Sequence, residues 1–349
     1  MKHLFYVKKA MLTLLLWQPV FSASGSSLTD CLLDQLKYAQ EDTQVVTLRQ
    51  TCKDKNPQFN SNQHHLVPSH SEKEKEKGSA VKSRLNNELQ AIDNPFAITP
   101  HKPNYFLPLT YANHPNEAPF DEPNGTLRPL EMKFQLSIKF PVANDVLFNN
   151  SRLFFAYTNL SFWQAYNSRI SSPFRETNHE PEIFLLIPQH RSVLGWDNHL
   201  ITVGFNHQSN GQTGTLSRSW NRIYTNFVFE RKNLVLSIKP WYRIPEKKKK
   251  DINDASGDDN PNIEHFMGHG ELRALYTKNN NTFSLMIRNN LKGNNQGAVE
   301  FNWSFPIGNR FRNRLRGFVQ AFNGYGESLI DYNSSTNRIS LGVSISDWL

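Results

Sequence analysis

The run "MKFQLSIKF" leaves little conformational freedom. Met132, Phe134, Leu136, Ile138 and Phe140 alternate without exception with Lys133, Gln135, Ser137 and Lys139. Successive side chains of a strand point to opposite faces, so this segment reads as a strand with one apolar and one polar stripe. Similar runs are "NYFLPLTYA" before it and, after it, "RLFFAYTNLSFWQAY", "EPEIFLLI", "HLITVGFNH", "WNRIYTNFVFE", "NLVLSIKPWY", "ELRALYT", "TFSLMIRNN", "GAVEFNWSF", "RLRGFVQAF" and "RISLGVSIS", a dozen candidate strands in all. Their connections alternate between tight ("ERKN", "TKNNN") and long or glycine-rich ("PEKKKKDINDASGDDNPNIEH"). A transmembrane barrel has that asymmetry, with short turns at one end and longer loops at the other. Mid-strand lysines and arginines, as in "RLRGFVQ", suit a wet barrel lumen better than the open face of a soluble β-sandwich, the competing architecture. The chain also finishes inside a strand, where Ile339, Leu341, Val343, Ile345 and Leu349 share one parity and Trp348 lies near the end. The expected fold is all-β, an antiparallel transmembrane barrel of the outer membrane.

Composition agrees with that expectation. Only 38% of the 349 residues are hydrophobic, and the mean hydropathy of -0.58 excludes a multi-spanning helical membrane protein. The sole long apolar run is N-terminal. Lys2, Lys8 and Lys9 precede the stretch Ala10 to Trp17, and small residues follow near Ser22 to Ser24, so residues 1–23 read as a secretory signal. An uncleaved anchor is the alternative, but the apolar core falls short of the ~20 residues needed to span a bilayer. In an exported chain the even count of two cysteines, Cys31 and Cys52, suggests one disulfide closing a local loop, with two unpaired thiols as the alternative.

Residues 24–90 form a polar, low-complexity extension around "SEKEKEKGSAVKS", flexible or partly helical in expectation, and the β pattern begins at about Asn94. The net charge of +8 is spread through the strands. Its one dense run, "EKKKKD" from Glu246 to Asp251, reads as a solvated loop or one drawn to an anionic membrane surface. No nucleic-acid-binding signature accompanies it.

One segment departs from plain strand chemistry: "NHQSNGQTGTLSRSWN", Asn206 to Asn221. Ile201, Val203 and Phe205 occupy the face expected to meet lipid, and His207 and Ser209 continue it. On the returning strand Ile223, Phe227 and Phe229 share the parity of Asn221. Polar groups left unsatisfied at membrane depth cost a few kcal/mol, roughly, so these three need a reason. Mutual hydrogen bonding supplies one, a serine nucleophile, a histidine base and an asparagine that orients the histidine. The alternative is an ordinary strand end, with "SNG" as a turn chosen for positive φ at Asn210 and Gly211.

"NHQSNG" followed by "SRSWNR", then "KPWY", "DNPNI" and "GYGESLIDYN", with "SSPFRETNHEPEIF" earlier, resemble the outer-membrane phospholipase A family of Gram-negative bacteria in order and spacing, over about Asn94 to Leu349. The resemblance implies a twelve-stranded outer-membrane barrel that hydrolyses the sn-1 and sn-2 acyl ester bonds of phospholipids and lysophospholipids. It also implies a calcium requirement and activation by homodimerisation. Residue by residue, Ser209 matches the nucleophile, His207 the base, Asn221 its orienter and the Gly211 N–H an oxyanion-hole donor. Ser217 matches a side-chain calcium ligand, Gln212 a backbone-carbonyl ligand, and Ser171 a ligand given by the partner subunit. Two positions depart from the pattern: Gln208 stands where an acidic residue is expected, and Asn159 where the dimer interface uses a glutamine. Two rival readings are a catalytically inactive barrel acting as pore or adhesin, and a soluble secreted β-sandwich that binds a partner.

Overall fold

The computed structural model describes residues 31, 34–35, 51–52, 78–92, 98–120, 127–251, 254, 257–308 and 315–348. The expected signal segment and most of the polar extension lie outside these residues. The chain divides into two compact units, Met1–Lys73 and Glu74–Leu349. In the first, Cys31 and Cys52 form a disulfide with their Cα atoms 5.9 Å apart.

The second unit is a closed antiparallel barrel. Its strands are β1 (Thr99–Pro100), β2 (Asn104–Ala112), β3 (Leu130–Asn144), β4 (Arg152–Trp163), β5 (Phe174–Val193), β6 (Trp196–Ser209), β7 (Ser219–Arg231), β8 (Leu234–Ile244), β9 (Gly270–Lys278), β10 (Asn281–Asn289), β11 (Gly297–Pro306), β12 (Arg316–Tyr325) and β13 (Ser335–Ser346). Each of β2 to β13 pairs with its neighbours in sequence, and β13 returns to β2, from Arg338 opposite Ala112 to Ser346 opposite Asn104. That makes twelve staves. The two-residue β1 lies on β3 beyond the β2 pairing, so β1 and β2 together form one interrupted stave. All twelve alternating runs of the sequence became strands of this barrel. Closure leaves no sheet edge, the condition for a sheet to stand in lipid.

The alternation is inverted relative to a soluble protein. Leu136 is 54% exposed, Ile223 49% and Ile339 58%, whereas Lys133 is 1% exposed and Ser137 is fully buried. Among the described residues no helix is long and apolar enough to cross a membrane; the apolar outer belt of the strands serves instead. At one end two-residue turns join β5 to β6, β7 to β8 and β9 to β10. Both central residues are left-handed at Leu194–Gly195 and at Asn279–Asn280, as two-residue hairpins of right-twisted strands require. Longer loops gather at the other end, between β4 and β5, β6 and β7, β8 and β9, and β12 and β13.

Many of the charges facing the lumen are paired. Near the long loops Arg175 meets both oxygens of Glu131 at 3.1 Å and Asp331 at 2.8 Å, while Lys133 and Arg338 share Glu327 at 2.8 and 2.5 Å. Lower down, Lys102 contacts Glu180 at 2.6 Å and Glu182 at 3.1 Å. Of the mid-strand cations that argued for a wet interior, Lys133 meets Glu327 and Lys139 meets Glu88, which is what makes such burial tolerable, while Arg316 donates to the Ser304 hydroxyl and the Asn280 carbonyl.

The barrel unit reaches further back than Asn94. Helix α1 (Ala80–Ile92) lies in the lumen at the tight-turn end. Ser79 caps it, accepting from Lys82 N at 3.1 Å, while the Ser79 hydroxyl and Ala80 N donate to Glu230. Val81 and Leu85, one turn apart, pack with Val235 and Leu275, and Glu88 pairs with Lys139 at 2.8 Å.

Candidate active site

Strands β6 and β7 bring the site together by register alone. His207 lies directly opposite Asn221, and Ser209, the last residue of β6, opposite Ser219. Their lumen-side neighbours Asn206 and Trp220 are buried, whereas Phe205 and Ile223 on the site's own face are exposed. His207, Ser209 and Asn221 therefore look outward. Gln208 points the other way, accepting from Trp220 Nε1 at 2.9 Å, so its departure from the family pattern leaves the outward face untouched.

His207 Nδ1 lies 2.8 Å from Asn221 Oδ1. The orientation of that amide follows from its other neighbour, since Asn221 Nδ2 donates to Glu246 Oε1 at 2.8 Å. A carboxylate only accepts, so the NH₂ must face Glu246 and the oxygen must face the imidazole. Nδ1 then carries the proton and Nε2 keeps its lone pair, the tautomer a general base needs. Ser209 follows two residues along the same face, its Cα about 7 Å from that of His207 by strand rise. Among the described residues no hydrogen bond joins Ser209 Oγ to the ring. Such contacts commonly close only when substrate is bound.

Glu246 was not visible as a site residue, because it opens "EKKKKD", a run that reads as a solvated loop. Replacing it with alanine frees the Asn221 amide to turn over and present its NH₂ to Nδ1. The expected outcome is a fall in kcat of about tenfold, the equivalent of one charge-assisted hydrogen bond. KM should hold, and Glu246→Gln should restore most of the rate, because its carbonyl still accepts. Equal rates for wild type and Glu246→Ala in initial-rate assays would remove this role.

The loop from Asn210 to Arg218 is organised by Asn210, a side chain 3% exposed. Its Oδ1 accepts from Arg218 N at 2.9 Å and Gln212 N at 3.3 Å, and its Nδ2 donates to Leu216 O at 2.8 Å and Glu176 at 3.3 Å. Gly211 sits in that loop at φ +65°, where a side chain is strained. Gln212 is exposed.

Ser217 Oγ donates to Asp259 Oδ2 at 2.8 Å and Ser219 Oγ does so at 3.3 Å, while the Lys249 ammonium pairs with the other oxygen of Asp259. Asp259 belongs to "DNPNI", but its meeting with Ser217 across 42 residues could not be read from spacing. Ser171 lies apart, exposed at φ +60° in the β4–β5 loop, with no hydrogen bond to the β6–β7 loop among the described residues. Asn159 stands on the outward face of β4, opposite His179, and accepts from Ser161 Oγ at 2.9 Å. His179 is also opposite Ser209, a neighbour of the candidate nucleophile that sequence reasoning passed over.

This chain matches the Phospholipase A1 family model over residues 81–345. It is 38% identical to a phospholipase A1 of Salmonella typhimurium over 267 residues, which cover 76% of this chain and 87% of that protein. A putative phospholipase A1 of Neisseria meningitidis is 38% identical over 275 residues, covering 75% and 68%. Among solved structures, Escherichia coli outer membrane phospholipase A superposes with a TM-score of 0.68 at 37% identity, covering 76% of this chain and 98% of that one. The calcium-bound dimer of the Salmonella typhi outer membrane phospholipase does so with 0.66 at 38% identity, covering 73% and 94%. With a barrel closed by the same kind of strands and an outward polar site at its loop end, this chain belongs to the outer-membrane phospholipase A family of phospholipases A1, carboxylic ester hydrolases of the outer membrane.

Proposed function

We propose that the protein hydrolyses the sn-1 and sn-2 acyl ester bonds of phospholipids and lysophospholipids with Ser209, His207 and Asn221, in a calcium-dependent homodimer whose site faces the outer leaflet. The observation that carries this reading is the His207–Asn221 bond of 2.8 Å on the lipid-facing side, with Ser209 on the same face. A soluble substrate would call for a site on the lumen or the loop tips. A lipid diffusing in the plane of the membrane reaches this one sideways.

In this reading Ser209 Oγ attacks the ester carbonyl while His207 Nε2 takes its proton, and Asn221 holds the resulting imidazolium in place. The Gly211 N–H donates to the developing oxyanion. His207 then returns the proton to the departing lipid alcohol, and later activates the water that frees Ser209.

Calcium is compatible with the groups at hand. Among the described residues there is no cluster of three or more acidic, histidine or cysteine side chains, so a site here must draw on hydroxyl and carbonyl oxygens, which a hard cation accepts. Ser217 Oγ and the Gln212 carbonyl are of that type, Ser171 of a partner copy would add a third, and Asp259 supplies charge beside Ser217. That Asp259 already binds an ammonium, from Lys249, marks the spot as a seat for a cation. Bound calcium would supply electrostatic stabilisation to the oxyanion.

The test uses purified protein on mixed phospholipid micelles with calcium or with chelator. Fatty-acid release is expected with calcium and near background in chelator, and cross-linked dimers should be active where monomers are not. If the cross-linked dimer with calcium releases no fatty acid, the proposal fails.

A further inference from the structure

A second histidine flanks the nucleophile. His179 stands in the outward row of β5, opposite Ser209 on β6, and residues so opposed have Cα atoms only about 5 Å apart. Its Nδ1 is 2.7 Å from the Tyr157 hydroxyl on β4. The other edge of the ring faces the loop that carries Gly211: a Cβ placed on that glycine would meet His179 Cδ2 at 3.8 Å and Nε2 at 3.9 Å. Nε2 thus lies beside the backbone that frames the nucleophile, on the β5 side of Ser209, away from β7.

Which nitrogen carries the proton follows from Tyr157. Among the described residues the phenol has no hydrogen bond besides the one to His179. If Nδ1–H donated to the phenol oxygen, the phenol proton would have no acceptor on a face that meets lipid, a costly arrangement. With the phenol donating to Nδ1, the phenol proton and the Nδ1 lone pair satisfy each other, and the neutral ring keeps its proton on Nε2, the one group of the pair that has no partner among the described residues. His207 and His179 are therefore set in opposite tautomers by opposite partners. An amide oxygen at Nδ1 leaves His207 a lone pair on Nε2, and a phenol proton at Nδ1 leaves His179 an N–H there.

We propose that His179 is a further catalytic residue, whose Nε2–H donates to the ester oxygen that becomes negative when Ser209 attacks, alongside the Gly211 N–H. The proposal rests on the assignment of Ser209 as nucleophile. As the Ser209 Oγ–carbon bond forms, the carbonyl π pair moves onto the oxygen and His207 Nε2 takes the serine proton. When the intermediate collapses, that pair re-forms the carbonyl, the carbon–oxygen bond to the lipid breaks, and the leaving alkoxide takes the proton from His207. His179 keeps its own proton throughout. A neutral donor suits the place, because it stabilises charge where charge appears without bringing a permanent cation to the lipid boundary.

The experiment compares wild type, His179→Phe, His179→Gln and Tyr157→Phe as full-length protein with calcium, beside Ser209→Ala and His207→Ala. Heat-modifiable migration and calcium-dependent dimerisation report folding. His179→Phe is expected to lower kcat on the order of 10²-fold, the usual effect of losing one oxyanion donor, with KM changed less than about threefold. His179→Gln, whose amide N–H reaches the same region, is expected to recover at least about tenfold of that loss. Tyr157→Phe, which removes only the hydroxyl, should cost about fivefold by freeing the tautomer. A kcat for His179→Phe within threefold of wild type overturns the proposal, as does a His179→Gln no faster than the phenylalanine variant. Should His179→Phe not fold, a His179→Gln rate matched by a folded His179→Leu, or an unchanged Tyr157→Phe, overturns it equally. Full activity in Ser209→Ala would sink the nucleophile assignment itself, a result distinct from loss in Ser209→Ala with none in the His179 variants.

Discussion

Ser209→Ala is expected to lower calcium-dependent fatty-acid release on the order of 10⁴-fold or more, with the barrel folded and calcium binding retained. The side chain makes no hydrogen bond among the described residues, so its loss leaves no orphaned partner. Stability should shift by less than about 0.5 kcal/mol, and the comparison isolates chemistry from folding. His207→Ala should cost nearly as much and the double variant little more, because members of a nucleophile and base pair act as one unit. Asn221→Ala should be milder, about 10- to 100-fold, because an uncharged orienter contributes one hydrogen bond and a preferred tautomer. Additive losses in the Ser209 and His207 double variant, measured by single-turnover hydrolysis, would show that the two residues do not act on the same step.

Arg175→Met is expected to be the most damaging substitution away from the site, costing about 3 to 5 kcal/mol. Arg175 is 6% exposed, bonds both Glu131 oxygens, reaches Asp331 at 2.8 Å and lies over the Phe162 ring at 5.0 Å. Methionine fills much of the volume but leaves two carboxylates short of a cation. Asp331→Asn in the same background should recover part of the loss, since it removes one of them. The readout is the temperature at which the compact, heat-modifiable form is lost. An unchanged transition would mean that the cluster contributes nothing net.

The same cluster predicts an acid response with a definite sign. Burial alone would raise the Asp331 carboxyl, but the Arg175 guanidinium and the Ser328 hydroxyl hold it below its ordinary value of 3.8. A carboxyl depressed in the folded state contributes stability that is complete above its unfolded value and is lost as pH falls through the folded one. Wild type should therefore keep this contribution down to about pH 4 and lose it below. In Arg175→Met the acid loss should begin at higher pH.

The strands were legible because lipid and lumen impose opposite polarity on alternate residues, and "MKFQLSIKF" writes that demand without exception. Parity alone also put His207, Ser209 and Asn221 on one outward face. Helix α1 was not legible as part of the barrel. Its surroundings are largely polar, so a buried helix there needs only Val81 and Leu85 as apolar contacts, and Arg84 and Glu88 look like solvated residues until Lys139 and the chain end are seen beside them. Glu246 and Asp259 escaped for another reason. Their partners Asn221 and Ser217 lie 25 and 42 residues away, and only the folding of the β8–β9 loop decides that distance. His179 needed the β5–β6 register, which a run of residues read singly does not contain.

Helix α1 also says something about the order of assembly. Arg84 donates to the carbonyls of Asp347 and Trp348, across 263 and 264 residues of chain, and Val81 and Leu85 rest in a cluster that includes Trp348. The berth of the first helix of this unit is thus partly built from its last residues. Loop-closure entropy for so long a separation is paid before the contact returns anything, so α1 has no complete berth until β13 has paired with β2. Its seating is a late event that registers a finished circumference, and protection of Arg84 and its neighbours from exchange or proteolysis would serve as a clock for the final hydrogen-bonded seam.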